Sequence, residues 1–132
     1  MLDEEKKALS AIRLDHAEEC LNSAKALLEI EDYKGAANRS YYAIYHSMRS
    51  VLALDGIDMK RHSGTISEFR RLYIATEIFD TSLSRIISQL FDIRTSSDYD
   101  DFYVISKSEV ENQVKNAETF VSEVRQYVSK LE

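Results

Sequence analysis

The 132-residue chain contains no proline, only three glycines (Gly35, Gly56 and Gly64) and a single cysteine, Cys20. Without proline, and with each glycine close to an expected helix boundary, little in the chain interrupts helical runs, so the sequence is read as all-α. A lone cysteine excludes an intrachain disulfide and leaves no thiol partner for a metal site, so Cys20 is assigned to packing. No apolar run approaches the ~20 residues that a membrane span needs. The opening stretch "MLDEEKKALSAIRLDHAEEC" is charged throughout and does not resemble a secretory signal, which gives a cytoplasmic expectation. A net charge of −6 and a pI near 5.1 exclude broad, non-specific attraction to nucleic acid or anionic membrane. Glycine-rich phosphate loops, paired-histidine metal motifs, nucleophile elbows and helix-turn-helix signatures are also missing, and no cofactor or metal is expected.

What remains is a 44% hydrophobic, 30% charged composition at a length that fits one domain, residues 1–132, with a single continuous core. The periodicity predicts a first helix over about residues 3 to 30, with Leu14, Ala17, Leu21, Ala24 and Leu28 on one stripe. A second follows over about 35 to 54, ending where Asp55 and Gly56 supply turn chemistry. A short third helix is expected over roughly 63 to 76, with Ser63 as N-cap. The fourth, about 79 to 97, carries Leu83, Ile86, Ile87, Leu90 and Ile93 on one side. The fifth, about 106 to 131, steps through Val110, Val114, Ala117, Val121, Val124, Val128 and Leu131 by threes and fours. Short connections favour antiparallel neighbours, so the expected architecture is an up-and-down bundle of four long helices plus one short one.

Two places set charge against an apolar face. In "NRSYYAIYHSMRS", Tyr41, Ile44, Tyr45, Met48, Val51 and Leu52 share the core side at about 100° per residue. Arg39 and His46, seven apart, project from the other side among Tyr42, Ala43, Ser50 and Ala53. That side is not polar, so it must be covered, and the small residues suggest close approach by a partner, such as a second copy. Arg39 and His46 admit two readings: packed side chains with local partners, or an anion site in which Arg39 fixes charge and His46 moves a proton. Arg94 lies on the apolar stripe of the fourth helix and therefore needs a carboxylate. Asp98, one turn later, is the first candidate, with Asp100 and Asp101 beyond it. A structural pair and a functional pocket both remain open there, and the acidic spacing matches no defensible metal loop. Lys60, Arg61, His62, Arg70 and Arg71 form a local basic run, read as a solvated face or a small patch.

The segments "NRSYYAIYHSMRSVL", "RHSGTISEF" and "LFDIRTSSDYDDFY", in this order, resemble the HEPN domain family over about residues 8 to 130. The resemblance implies a four- or five-helix bundle, frequent dimerisation and, in prokaryotes, pairing with a minimal nucleotidyltransferase, often as toxin and antitoxin. It also implies that several relatives are metal-independent ribonucleases in which an Arg and a His, four to six residues apart on a late helix, act together. Carried onto this chain the arginine is Arg94, but the histidine positions hold Tyr99, Asp100 or Asp101. A phenol near pKa 10 and carboxylates near 4 are poorly matched to that proton transfer at neutral pH. The expected function is therefore a dimeric, non-catalytic module that binds a nucleotide, an RNA end or a nucleotidyltransferase partner through Arg94, Asp98, Tyr99 and Asn38, with Arg39 nearby. The alternative is a metal-independent ribonuclease using Arg39 with His46, or Arg94 with His46. An imidazole of His46 beside Arg94 in an open cleft would favour the alternative.

Overall fold

A computed structural model describes residues 3–131. Among them are five α-helices and no strands: α1 (Glu4–Glu29), α2 (Tyr33–Leu54), α3 (His62–Phe69), α4 (Ser82–Tyr99) and α5 (Lys107–Lys130). The all-α expectation and the four-long, one-short arrangement both hold, as in an HEPN-like bundle.

The boundaries follow from side chains that accept orphan backbone N–H groups. Asp3 accepts from Glu5 at 2.8 Å to start α1, and Asp32 accepts from Gly35 at 2.9 Å to start α2. Gly35 is required beside that cap, because a Cβ there would stand 2.6 Å from the Asp32 carboxylate. Ser106 accepts from Glu109 at 3.2 Å at the start of α5. Gly56, at φ +72, takes the left-handed conformation that turns the chain after α2.

The expected third helix is corrected in two respects. Ser63 does not cap it: the cap position is Arg61, which makes no side-chain cap bond, and Ser63 lies inside α3. The helix also does not run on regularly to residue 76 but widens into a single π turn over Arg70–Ile74. Tertiary contacts fasten that turn in place. Arg70 donates to Ser84 Oγ, the Ser84 carbonyl and Ser88 Oγ on α4 at 2.7–3.0 Å, and the Tyr73 hydroxyl donates to Asp55 at the end of α2. The fourth helix is shifted to Ser82–Tyr99, with Asp80 accepting from the Ser82 N–H at 3.2 Å.

α2 is the central element, in contact with α1, α3, α4 and α5. The core packs Tyr41, Ile44, Met48, Val51 and Leu52 of α2 against Phe69, Leu83, Ile87, Leu90, Phe120, Val121 and Val124. Fully burying each large side chain of this set contributes roughly 1.5–3 kcal/mol. The α5 seam is buried through Val124, but Val128 is only half-buried and Leu131 is exposed, so the stripe outlasts its partner.

The back of α2 is covered, as its composition requires, but by α1 of the same chain. Ser50 Oγ donates to the Ser10 carbonyl at 2.8 Å and lies 3.0 Å from Ser10 Oγ, while Ala43, Ser50 and Ala53 are all buried. The small residues serve the close α1–α2 crossing, which corrects the reason given for a contact between copies.

Candidate functional site

Arg94 sits on α4 where the apolar stripe faces α2, and its side chain is only 15% exposed. Its Nε lies 2.9 Å from Asp98 Oδ2, one turn along the helix, in an ion pair that is not an aligned hydrogen bond. Its Nη2 donates to the Tyr42 hydroxyl at 3.1 Å. The guanidinium carbon stands 5.4–5.7 Å from the ring centres of Tyr41, Tyr42 and Tyr99, within the range of cation–π attraction. Asp100, the alternative partner, is occupied elsewhere: it accepts from the Phe102 N–H at 3.0 Å in the following turn.

Asn38 extends the cluster to α2 by donating to the same Asp98 Oδ2 at 3.1 Å. Its carbonyl oxygen accepts from Arg39 Nε and Nη2 at 3.1 and 2.8 Å. Arg39 in turn stands 5.1 Å from the Tyr42 ring centre and donates weakly to Cys20 Sγ at 3.8 Å on α1. Thus Arg94, Asp98, Tyr99, Asn38 and Arg39, named separately from the sequence, form one chain of contacts. Asp98 pairs with Arg94, whereas Arg39 reaches only the neutral Asn38 amide and Cys20, so the cluster holds two guanidiniums and one carboxylate and keeps an excess positive charge suited to an anion, beside a Tyr99 ring that is 74% exposed.

His46 lies farther along α2 and meets this cluster through Tyr42, the ring over which Arg39 and Arg94 stand. It is half-buried against His16, Tyr42 and Tyr45, with ring centres 5.7–6.1 Å away, and its buried Nδ1 finds no partner. Burial first, then the charges of Arg49, His16, Arg39 and Arg13, push its pKa down to about 4. The imidazole that feels Arg94 is His62. Its Nδ1 is 2.9 Å from the Tyr41 hydroxyl, and its ring stacks on Tyr45 at 4.1 Å. Burial chiefly, then Arg94 and Arg49, lowers its pKa, and burial pushes the Tyr41 phenol up even though Arg94 opposes this. Sequence spacing gave no reason to set His62 beside Arg94. Its places in the local basic run and in "RHSGTISEF" marked it, and the contact is made by folding α3 back over α2.

The basic run and the α1–α5 groove are tied up locally. Arg71 pairs with Glu68 at 2.8 Å and Arg70 is held by α4, so the basic run does not form one open patch. The α1–α5 groove, about 450 Å³, is lined by Lys25, Glu118, Glu18 and Arg125, which neutralise one another in two ion pairs. A second cavity of about 420 Å³ lies between α3 and α4, and Phe91 in its wall packs on Tyr41. Among the described residues no group of three or more ligating side chains is placed to hold a metal ion.

This helical frame and its residues 10–127 match the family model of the HEPN domain. The chain belongs to the HEPN domain family. Among similar proteins, a UPF0332 protein of Thermotoga maritima is 29% identical over 115 residues, covering 87% of each chain. A protein of Methanocaldococcus jannaschii, named as a candidate toxin, is 31% identical over 118 residues, 89% of this chain and 87% of its own. A second so-named protein of that organism is 28% identical over 115 residues, 87% of this chain and 78% of its own. In this HEPN chain no helix is long and apolar enough to cross a membrane, among the residues described.

Proposed function

We propose that this HEPN chain is a cytoplasmic, dimeric binding module of a toxin–antitoxin type system, paired with a minimal nucleotidyltransferase, and that it takes a nucleotide or RNA end at Arg94, Asp98, Tyr99 and Asn38. The observation that carries this reading is the Arg94 cluster: an inward guanidinium held by one carboxylate and three phenol rings, one of them Tyr99, where the resemblance to the family's nucleases would put a histidine. Arg94 and Arg39 supply positive charge for a phosphate, and Tyr99 supplies an exposed face for a base. The names of the two Methanocaldococcus relatives support the toxin–antitoxin setting. A dimer is supported by the apolar surface just beyond the site, where Phe102 is 93% and Val104 is 86% exposed.

The test is calorimetric titration of the protein with 5′-AMP and with a short single-stranded RNA. Saturable binding that weakens about tenfold or more in Arg94→Ala supports the reading. Absence of binding to both contradicts it. Sedimentation across a concentration series checks the dimer, and a monomer throughout would remove it.

A second reading, the metal-independent ribonuclease, is favoured by one observation: an imidazole does stand in the field of Arg94, although it is His62, through Tyr41, rather than His46. Incubation with mixed RNA in EDTA separates the two readings. Cleavage abolished by both His62→Ala and Arg94→Ala would overturn the binding-only conclusion, and intact RNA supports it.

A further inference from the structure

Away from the Arg94 cluster, the other end of the same α2 face gathers charge that the proposed nucleotide site does not use. Residues 39, 42, 46 and 49 recur by three and four, which sets Arg39, Tyr42, His46 and Arg49 in a line along one side of α2. Arg49 lies ten residues from Arg39, about 15 Å along the axis, so the two ends are separate places.

At the Arg49 end, Arg13 of α1 is buried at 5% exposure, an unusual position for a guanidinium. Its Nη1 donates to the Arg49 carbonyl at 3.2 Å and its Nη2 pairs with Asp58 Oδ1 at 3.2 Å. Arg49 Nη2 reaches that same oxygen at 3.4 Å. One oxygen of one carboxylate therefore serves two guanidiniums. Asp58 is itself largely exposed and compensates only one of the two charges.

Two buried polar atoms nearby have no partner at all: Arg49 Nε and His46 Nδ1. A buried Arg49 N–H without an acceptor is costly, as is a buried imidazole nitrogen without a partner in either tautomer, and native structures seldom keep such atoms unless an ion or water completes them. His46 is also the group on which the positive field converges, from Arg13 and His16 on α1 and from Arg39 and Arg49 on α2. That field repels a proton and attracts an anion for the same reason.

We propose that Arg49, Arg13 and His46 form a second anion subsite, which takes a phosphate group as inorganic phosphate or as the phosphate of a nucleotide. In this arrangement Arg49 contributes its unused Nε–H, Arg13 contributes charge from below, and His46 contributes a ring N–H in the tautomer that donates from Nδ1. Asp58 keeps the two guanidiniums from separating. The subsite stands on its own residues and does not depend on the Arg94 cluster binding anything.

The experiment follows the ring protons of His46 by NMR through a pH series, for the full chain alone and with inorganic phosphate, 5′-AMP or adenosine. An anion bound beside His46 favours its protonated form, so phosphate and 5′-AMP should raise its titration midpoint saturably, and adenosine should not. A response to phosphate alone assigns the free ion as ligand, whereas a tighter response to 5′-AMP assigns the nucleotide. Arg49→Gln should weaken the response about tenfold, and Arg49→Lys, which keeps charge without the fork, should restore part of it. Arg94→Gln should leave the response unchanged, which separates this subsite from the nucleotide site: 5′-AMP binding equally strong in wild type and Arg94→Gln, with the His46 response intact, would sink the first reading alone. The proposal is overturned if folded wild-type protein gives no saturable His46 shift with either phosphate source. It is also overturned if the shift survives in Arg49→Gln or vanishes in Arg94→Gln.

Discussion

Two aromatic clusters lie in this bundle, and they differ in what is threaded between the rings. Phe69, Tyr73, Phe79, Phe120 and Tyr127 pack ring to ring at 5.2–6.1 Å among α3, the π turn, the turn before α4, and α5. Among the described residues no guanidinium stands over any of these rings. Tyr41, Tyr42, Tyr45, His46, His62 and Tyr99 make the second cluster, and Arg39, Arg49 and Arg94 all stand over its rings. The same class of side chain does different work in the two places. In the first cluster it removes apolar area from water. In the second it provides polarizable walls that let charge be held where charge is otherwise expensive, a construction that gains little stability over apolar packing and therefore points to a role beyond stability.

The comparison is broken most severely by removing a ring from the first cluster. Phe120→Ala should destabilise the fold by about 3–5 kcal/mol in urea unfolding, since Phe120 is fully buried and its cavity cannot collapse freely. Under conditions where that variant stays folded, its affinity for 5′-AMP should be unchanged. Arg94→Ala should reverse the pattern. It leaves Asp98 facing Asn38 alone and should cost only about 1–2 kcal/mol of stability while weakening the nucleotide by tenfold or more. If Arg94→Ala were as destabilising as Phe120→Ala, the contrast between the clusters would be lost.

Acid should act on the second cluster first. His46 titrates near 4 in the folded chain and near 6.5 when unfolded, so between those values the unfolded state binds more protons. The stability this neutral imidazole provides is complete above pH 6.5 and is lost as the pH falls from 6.5 to 4. His62 shifts in the same direction and adds to the loss. For His46, half-buried and screened by solvent, the effect is of order 1 kcal/mol. Urea midpoints at pH 7 and pH 5 should differ less in His46→Gln than in wild type. An equal difference would show that the field described around His46 is not felt there.

The smallest effect concerns how α2 came to have its charged side covered. Ser50→Ala removes the hydrogen bonds to Ser10 and should cost about 1 kcal/mol, whereas Ser50→Leu should cost more by forcing α1 away.

Much of this was legible from spacing alone. The threes and fours of α5, the core side of α2 and the Arg94–Asp98 pair at one helical turn are local periodicities, and local periodicity survives folding. What spacing could not supply were contacts between distant segments. That α1 covers Ala43 and Ser50 depends on a crossing of two helices that offer similar small residues. The partnership of Tyr41 with His62 joins residues 21 apart through a turn whose direction no motif specifies. The π turn at Arg70–Ile74 is likewise held by Ser84, Ser88 and Asp55, which lie outside it. The site residues Arg94, Asp98, Tyr99, Asn38 and Arg39 were found because each was a polar exception on an apolar stripe or a member of a family motif. His62 also belonged to a family motif, but nothing in that motif or its spacing set it beside Arg94.

The most direct test of the second cluster is the nitrogen-15 spectrum of the arginine side chains. A guanidinium enclosed by Tyr41, Tyr42 and Tyr99 and paired with Asp98 should give an Arg94 Nε–H signal that exchanges slowly with water, is displaced by ring currents, and returns toward the free-arginine position in Asp98→Asn. An Arg94 signal that exchanges rapidly at the position of a solvated arginine, in the wild-type protein, would contradict the account.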